Sequence, residues 1–86
     1  MGSPFAVYIL HSKTSGRFYV GHTRNLLDRL KRHNAGRSLA TKGKGPFELV
    51  HVEYYSTRAQ AAEREREVKA RESRHHIDQL VRTSHA

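Results

Sequence analysis

Apolar and polar positions alternate along the start of the chain in two short runs, Phe5 to His11 and Arg17 to His22. Between them lies the polar stretch Ser12-Lys13-Thr14-Ser15-Gly16. β-Branched and aromatic residues on both sides of a glycine-bearing turn predict a β-hairpin. A period of two puts Tyr8 and Leu10 on one face of the first strand and Val7 and Ile9 on the other. In the second strand it sets Phe18 and Val20 opposite Tyr19 and Gly21. Gly21, lacking a side chain, admits close approach of backbone or ligand.

The pattern then changes to a helical period. Asn25 is a good N-cap, Asp28 puts negative charge in the first turn, and Leu26, Leu27 and Leu30 form the expected buried stripe. Arg29 and His33, four apart, lie along one edge of that stripe, and Gly36 suits a left-handed helix cap. Phe47 to Tyr55 reads as a third strand. Thr57 followed by Gln60 is a capping-box pattern that opens a second helix. Its apolar face is Ala61, Ala62 and Val68, with Glu65 among them and Glu63, Arg64, Arg66 and Glu67 on the rest of the surface. Ser73 can cap a last helix in which Ile77, Leu80 and Val81 pack inward. The order of elements is β-β-α-β-α-α, an α/β (α+β) chain.

At 86 residues the chain is one small domain, expected over 5–82 with flexible ends at 1–4 and 83–86. There is no cysteine, so neither a disulfide framework nor a thiolate zinc site can staple it, and the core must suffice. The seven histidines are scattered without helical ligand spacing, which disfavours a histidine zinc site. No apolar run approaches membrane-spanning length, and a cytoplasmic location is expected, with no membrane partner. The formal charge of +8 and pI near 10.5 change the picture more. They favour a polyanionic partner, chiefly nucleic acid, bound through phosphate neutralisation. Arg24, Lys31, Arg32, Arg37, Lys42 and Lys44 are the candidate phosphate contacts, the last three in a basic loop from Arg37 to Pro46.

Candidate chemistry sits in a few side chains. Two strand tyrosines, Tyr8 and Tyr19, are by themselves ordinary core residues with wet hydroxyls. Glu65 is harder to dismiss, because a carboxylate on an apolar face costs free energy unless it is paired or holds a metal. A salt bridge to Arg29 or Arg58 is its structural alternative. Taken together, a hydroxyl pair, a guanidinium, an imidazole and a carboxylate fit phosphodiester hydrolysis. That reaction needs an activated water, charge stabilisation at phosphorus and help for a leaving oxyanion.

Ala6-Val7-Tyr8, ten intervening residues and then Tyr19-Val20-Gly21 resemble the paired signature of the GIY-YIG nuclease superfamily. The helix from Asn25 to Asn34 is similar to that family's arginine-bearing helix, and Arg64 to Lys69 to its glutamate helix. Lys42 to Val50, with Pro46 before the third strand, and Ser73-Arg74 resemble the small stand-alone bacterial members. The resemblance implies a three-stranded antiparallel sheet flanked by helices, and hydrolysis of DNA with one divalent ion, Mg²⁺ or Mn²⁺, and no small-molecule cofactor. It implies that Tyr8 is the general base or part of its relay, assisted by Tyr19, and that Arg29 stabilises the scissile phosphate. His33 would share the proton with Tyr8, and Glu65 would be the metal ligand. Ala6 stands where the name motif has glycine, and Val7 and Val20 replace isoleucine. Several members place an asparagine late in the domain; here none follows Asn34, and Gln79 lies in that region.

The expected activity is therefore a metal-dependent DNA endonuclease, selective for nicks, flaps or branches, with a protein partner conferring further specificity. A basic nucleic-acid-binding module that cleaves little or nothing is the alternative. A structural protein of a ribonucleoprotein would explain the charge but not Glu65.

Overall fold

The computed structural model describes residues 2–36, 43, 45–70, 79, 80 and 82. Three strands form one antiparallel sheet in the order β2-β1-β3, with β1 at Phe5–Ser12, β2 at Phe18–Thr23 and β3 at Phe47–Tyr55. Helix α1 spans Leu26–Asn34 and α2 spans Arg58–Ala70. Gln79, Leu80 and Arg82 are also helical, while Ser73, Ile77 and Val81 of the expected last helix lie outside the described residues.

The turn between β1 and β2 closes as its residues demand. Gly16, at φ +75°, donates to the Ser12 carbonyl at 2.8 Å, and the Ser12 hydroxyl accepts from the Ser15 amide at 3.0 Å. Such positive φ is cheap only for glycine. Because β1 is central, its apolar run is buried continuously from Ala6 to Leu10. The alternation of two then divides the core. Ile9, Val50 and Val68 pack with Phe18, Val20 and Leu80 on the α2 side of the sheet. Tyr8, Leu10 and Phe47 pack with Tyr19, Leu26, Leu30 and Leu49 on the α1 side. Opposite β1 the register slips, since Ile9 faces His51 while Leu10 faces Leu49. Val50 is the extra residue of this bulge, and it turns into the Ile9 cluster.

Both helices depart from the expected wheels. Leu27 is 65% exposed; α1 instead buries the side carrying Leu26, Leu30 and His33, spaced four and three apart, and Leu27 is turned about 100° from Leu26. In α2 Ala61 and Val68 are buried while Ala62 is exposed, and Arg64 and Glu65 occupy the half-buried flanks. The buried side is thus 61, 64, 65 and 68, the usual three-and-four spacing. The capping box is present: the Gln60 amide donates to Thr57 Oγ1 at 3.1 Å, and Gln60 Oε1 accepts from the Thr57 amide at 3.2 Å. Asn25 Oδ1 caps α1 by accepting from the Asp28 amide at 3.0 Å, and Gly36 ends it at φ +74°. Asn34 Oδ1 accepts from the Phe47 amide at 2.7 Å, tying the end of α1 to the start of β3.

A charged cluster seals α2 to β3. Arg64 donates from Nε to Glu53 Oε1 at 2.8 Å and from Nη2 to Oε2 at 3.2 Å. Tyr55 Oη and His51 Nε2 each donate to the same carboxylate at 2.6 Å. Burial alone would raise the Glu53 carboxyl, but hydrogen bonds from Arg64, Tyr55 and His51 outweigh it and bring it from 4.5 to about 2. A carboxyl depressed in the folded state contributes stability that is complete above pH 4.5 and lost as pH falls toward about 2. That shift corresponds to about 3 kcal/mol. Glu53→Gln should therefore lower the melting temperature at pH 7 by roughly 12–24 °C, and should flatten the acid limb of the stability curve below pH 5. Thermal unfolding followed by circular dichroism across pH checks both; a variant as stable as the parent would contradict the role given to Glu53.

Candidate active site

Tyr8 is paired with Gly21 across the β1–β2 ladder. A Cβ on residue 21 would stand 2.5 Å from the Tyr8 hydroxyl and 2.7 Å from Cζ, so only glycine leaves the phenol its place. From there Tyr8 Oη meets His33 Nε2 at 3.1 Å. The two rings meet edge to face with centroids 5.9 Å apart, and His33 is likewise edge-on to Phe47. His33 is buried under the last turn of α1, while Arg29, one turn earlier, is half-buried on the same side.

The electrostatics follow from this packing. Burial pushes the Tyr8 phenol above its ordinary value, and the Glu65 charge adds to the rise, while Arg29, by charge and hydrogen bond, opposes it. Burial and then the Arg29 charge hold the His33 imidazole below its ordinary value. At neutral pH a protonated phenol thus faces a neutral imidazole, the pair needed to pass a proton between oxygen and nitrogen.

Glu65 approaches from the opposite layer. His22 Nδ1 donates to its Oε1 at 2.5 Å, and Lys69 Nζ donates to its Oε2 at 2.6 Å. Burial would raise this carboxyl, but the bonds from Lys69 and His22 prevail and hold it below the ordinary range. The partners of Glu65 are therefore His22 and Lys69, rather than the Arg29 or Arg58 suggested by sequence. Gly21 belongs to the α1 side and His22 to the α2 side of the same edge strand, so the site wraps around that edge.

The structure gathers Tyr8, Arg29 and His33 and brings the charge of Glu65 to bear on Tyr8. Tyr19 lies on the same face, its ring edge-on to Phe47 at 5.6 Å. Among the candidate phosphate contacts, Lys31 is exposed on α1. Arg32 is exposed but paired with Asp28 at 3.2 Å. Arg24 lies over the Phe5 ring at 5.9 Å. Arg37, Lys42 and Lys44 lie outside the described residues. Gln79 is exposed in its helical stretch. Sequence reasoning missed His22 and Lys69. The signals were there: Lys69 is four residues beyond Glu65 on a helix, and His22 alternates out of the strand opposite Gly21.

Residues 4–78 match the GIY-YIG catalytic domain. A UPF0213 protein of Natronomonas pharaonis is 37% identical over 71 residues, covering 81% of this chain and 82% of the relative. The solution NMR structure of the UPF0213 protein BH0048 from Bacillus halodurans superimposes with a TM-score of 0.58 at 38% identity, covering 92% of this chain and 83% of that one. The human structure-specific endonuclease subunit SLX1 is 40% identical over 52 residues, which is 56% of this chain and 19% of the human protein.

The fit of Tyr8 over Gly21 can be tested apart from activity. Gly21→Ala should drive the Tyr8 ring off His33, because the methyl would overlap a rigid ring. NMR of the His33 ring nitrogens should show loss of the hydrogen bond to Nε2 while the β1–β2 amide pattern persists. Unshifted ring nitrogens with a disturbed β2 would contradict the assignment.

Proposed function

Because the chain belongs to the GIY-YIG family, we propose that it is an endonuclease that hydrolyses DNA phosphodiester bonds with one divalent cation, Mg²⁺ or Mn²⁺. The observation that carries this reading is the 3.1 Å contact between a protonated Tyr8 and a neutral His33 beside Arg29. Tyr8 Oη takes a proton from the attacking water while passing its own to His33 Nε2. Neither group needs to carry charge before the reaction. Arg29 meets the phosphate oxygens with its planar fork and offsets charge as it develops. Tyr19 assists in positioning that phosphate.

The residues present suit one hard cation. Glu65 is ionised at neutral pH, is half-buried, and acts electrostatically on Tyr8. Glu65 would be the protein's ligand, with water and phosphate oxygens completing the shell. A bound cation there supplies Lewis-acid neutralisation of the phosphate and the leaving oxygen.

Lys31, Arg24, Arg37, Lys42 and Lys44 bind backbone phosphates and give affinity without sequence choice. Arg32 contributes less, being paired with Asp28. The likeness to SLX1, described as a structure-specific endonuclease subunit, supports selection of nicks, flaps or branches, with a partner chain refining the target. A DNA-repair role in the cytoplasm belongs to the same proposal. No helix among the described residues is long and apolar enough to cross a membrane.

One observation favours the alternative of a DNA-binding module that does not cleave: both oxygens of Glu65 are already engaged by cations or donors. Incubation with supercoiled plasmid and branched oligonucleotides, with and without Mg²⁺ or Mn²⁺, separates the two. Nicking should require metal and vanish in Glu65→Gln, while Arg29→Lys should lose roughly 10²–10³ in rate. Metal-dependent nicking that survives Glu65→Gln, or an Arg29→Lys protein of full activity, would overturn the assignment of that residue. No nicking by the parent on any of these substrates would favour the binding module.

A further inference from the structure

The two groups that hold Glu65 differ in kind. His22 belongs to a strand, its side chain is 24% exposed, and its Nδ1 reaches Oε1 at 2.5 Å. The sheet fixes where that ring stands. Lys69 is 50% exposed at the end of a flexible four-carbon stem, and its Nζ reaches Oε2 at 2.6 Å across one turn of α2. His22 gives Oε1 an imidazole N–H whose position the strand sets. Lys69 gives Oε2 an ammonium on a flexible stem, and its full positive charge offsets that of the carboxylate.

We propose that Lys69 is an internal competitor for the metal site, its ammonium holding the carboxylate until a divalent cation displaces it. This rests on the reading of Glu65 as the metal ligand. An ammonium within hydrogen-bond reach of Oε2 and a divalent ion on the same carboxylate repel each other strongly, so both cannot occupy it at full strength. The half-exposed stem lets Lys69 swing into water, whereas His22 can keep its bond to Oε1 and hold the carboxylate in orientation while the cations exchange. Each site therefore passes from a neutral Glu–Lys pair to a metal-loaded carboxylate with a freed ammonium beside it. The cost of releasing Lys69 is subtracted from metal affinity, and the protein without metal is spared an uncompensated, half-buried carboxylate.

The test is direct Mn²⁺ binding to DNA-free protein, measured by the loss of the free-ion electron paramagnetic resonance signal. The parent would be compared with Lys69→Met, Lys69→Gln, Lys69→Arg and Glu65→Gln, with folding checked by circular dichroism. Both neutral variants should bind Mn²⁺ about tenfold more tightly, the scale of removing one unit charge beside a divalent ion at a water-exposed, salt-screened position. Lys69→Arg, which keeps the charge, should stay near the parent, and Glu65→Gln should lose saturable binding. If Glu65→Gln loses binding while Lys69→Met and Lys69→Gln bind no more tightly than the parent, the exchange is wrong and the role of Glu65 stands. If Glu65→Gln binds Mn²⁺ as the parent does, the metal lies elsewhere and both are overturned. Absence of saturable binding in the neutral Lys69 variants also overturns the exchange.

Discussion

Across the β1–β2 ladder the Tyr8 ring lies over Gly21, in space that any side chain at that position would claim. The rest of the site depends on this close approach. It lets the phenol reach His33 under α1, and it leaves the edge strand thin where the two layers must communicate. On one side of that strand are Tyr8, Arg29 and His33; on the other, His22 holds Glu65. The charge of Glu65 is felt at Tyr8 even though the two come from opposite layers.

The scaffold supports this geometry with contacts that do no chemistry. β1 is central and buried on both faces, so Tyr8 is carried by the most enclosed strand of the sheet. Asn34 ties the end of α1 to the Phe47 amide, and Phe47 in turn packs edge-on against both His33 and Tyr19. On the far side, Glu53 and Arg64 fix α2 against β3, with His51 and Tyr55 as further donors to the same carboxylate. That network is what allows a helix carrying so many charges to present Glu65 at a set position.

Much of this was legible in the chain. Alternation in the hairpin assigned Tyr8 and Leu10 to one face and Ile9 to the other, as the two core clusters show. The Asn25 cap and the Thr57–Gln60 box placed the helix starts, because capping residues act locally. Less legible was anything that depends on which side of a helix meets the sheet. Three leucines in α1 gave an apolar arc wider than the surface available, and Leu27 was the one left in water. In α2, Arg64 read as a surface residue because its partner Glu53 is eleven positions away on another element. The clamp on Glu65 was missed for the same reason, since His22 is forty-three positions distant and only the fold brings it near.

The proposed cleavage turns on the Tyr8 hydroxyl, backed by His33, moving the proton that makes water a nucleophile. Metal-dependent cleavage by Tyr8→Phe tests it most directly, because that change removes one oxygen and keeps the ring that fills the space over Gly21. The rate should fall by roughly 10²–10⁴, while DNA affinity without metal and the melting temperature stay close to those of the parent. A Tyr8→Phe protein that cleaves at nearly the parental rate would show that another group takes the proton from water.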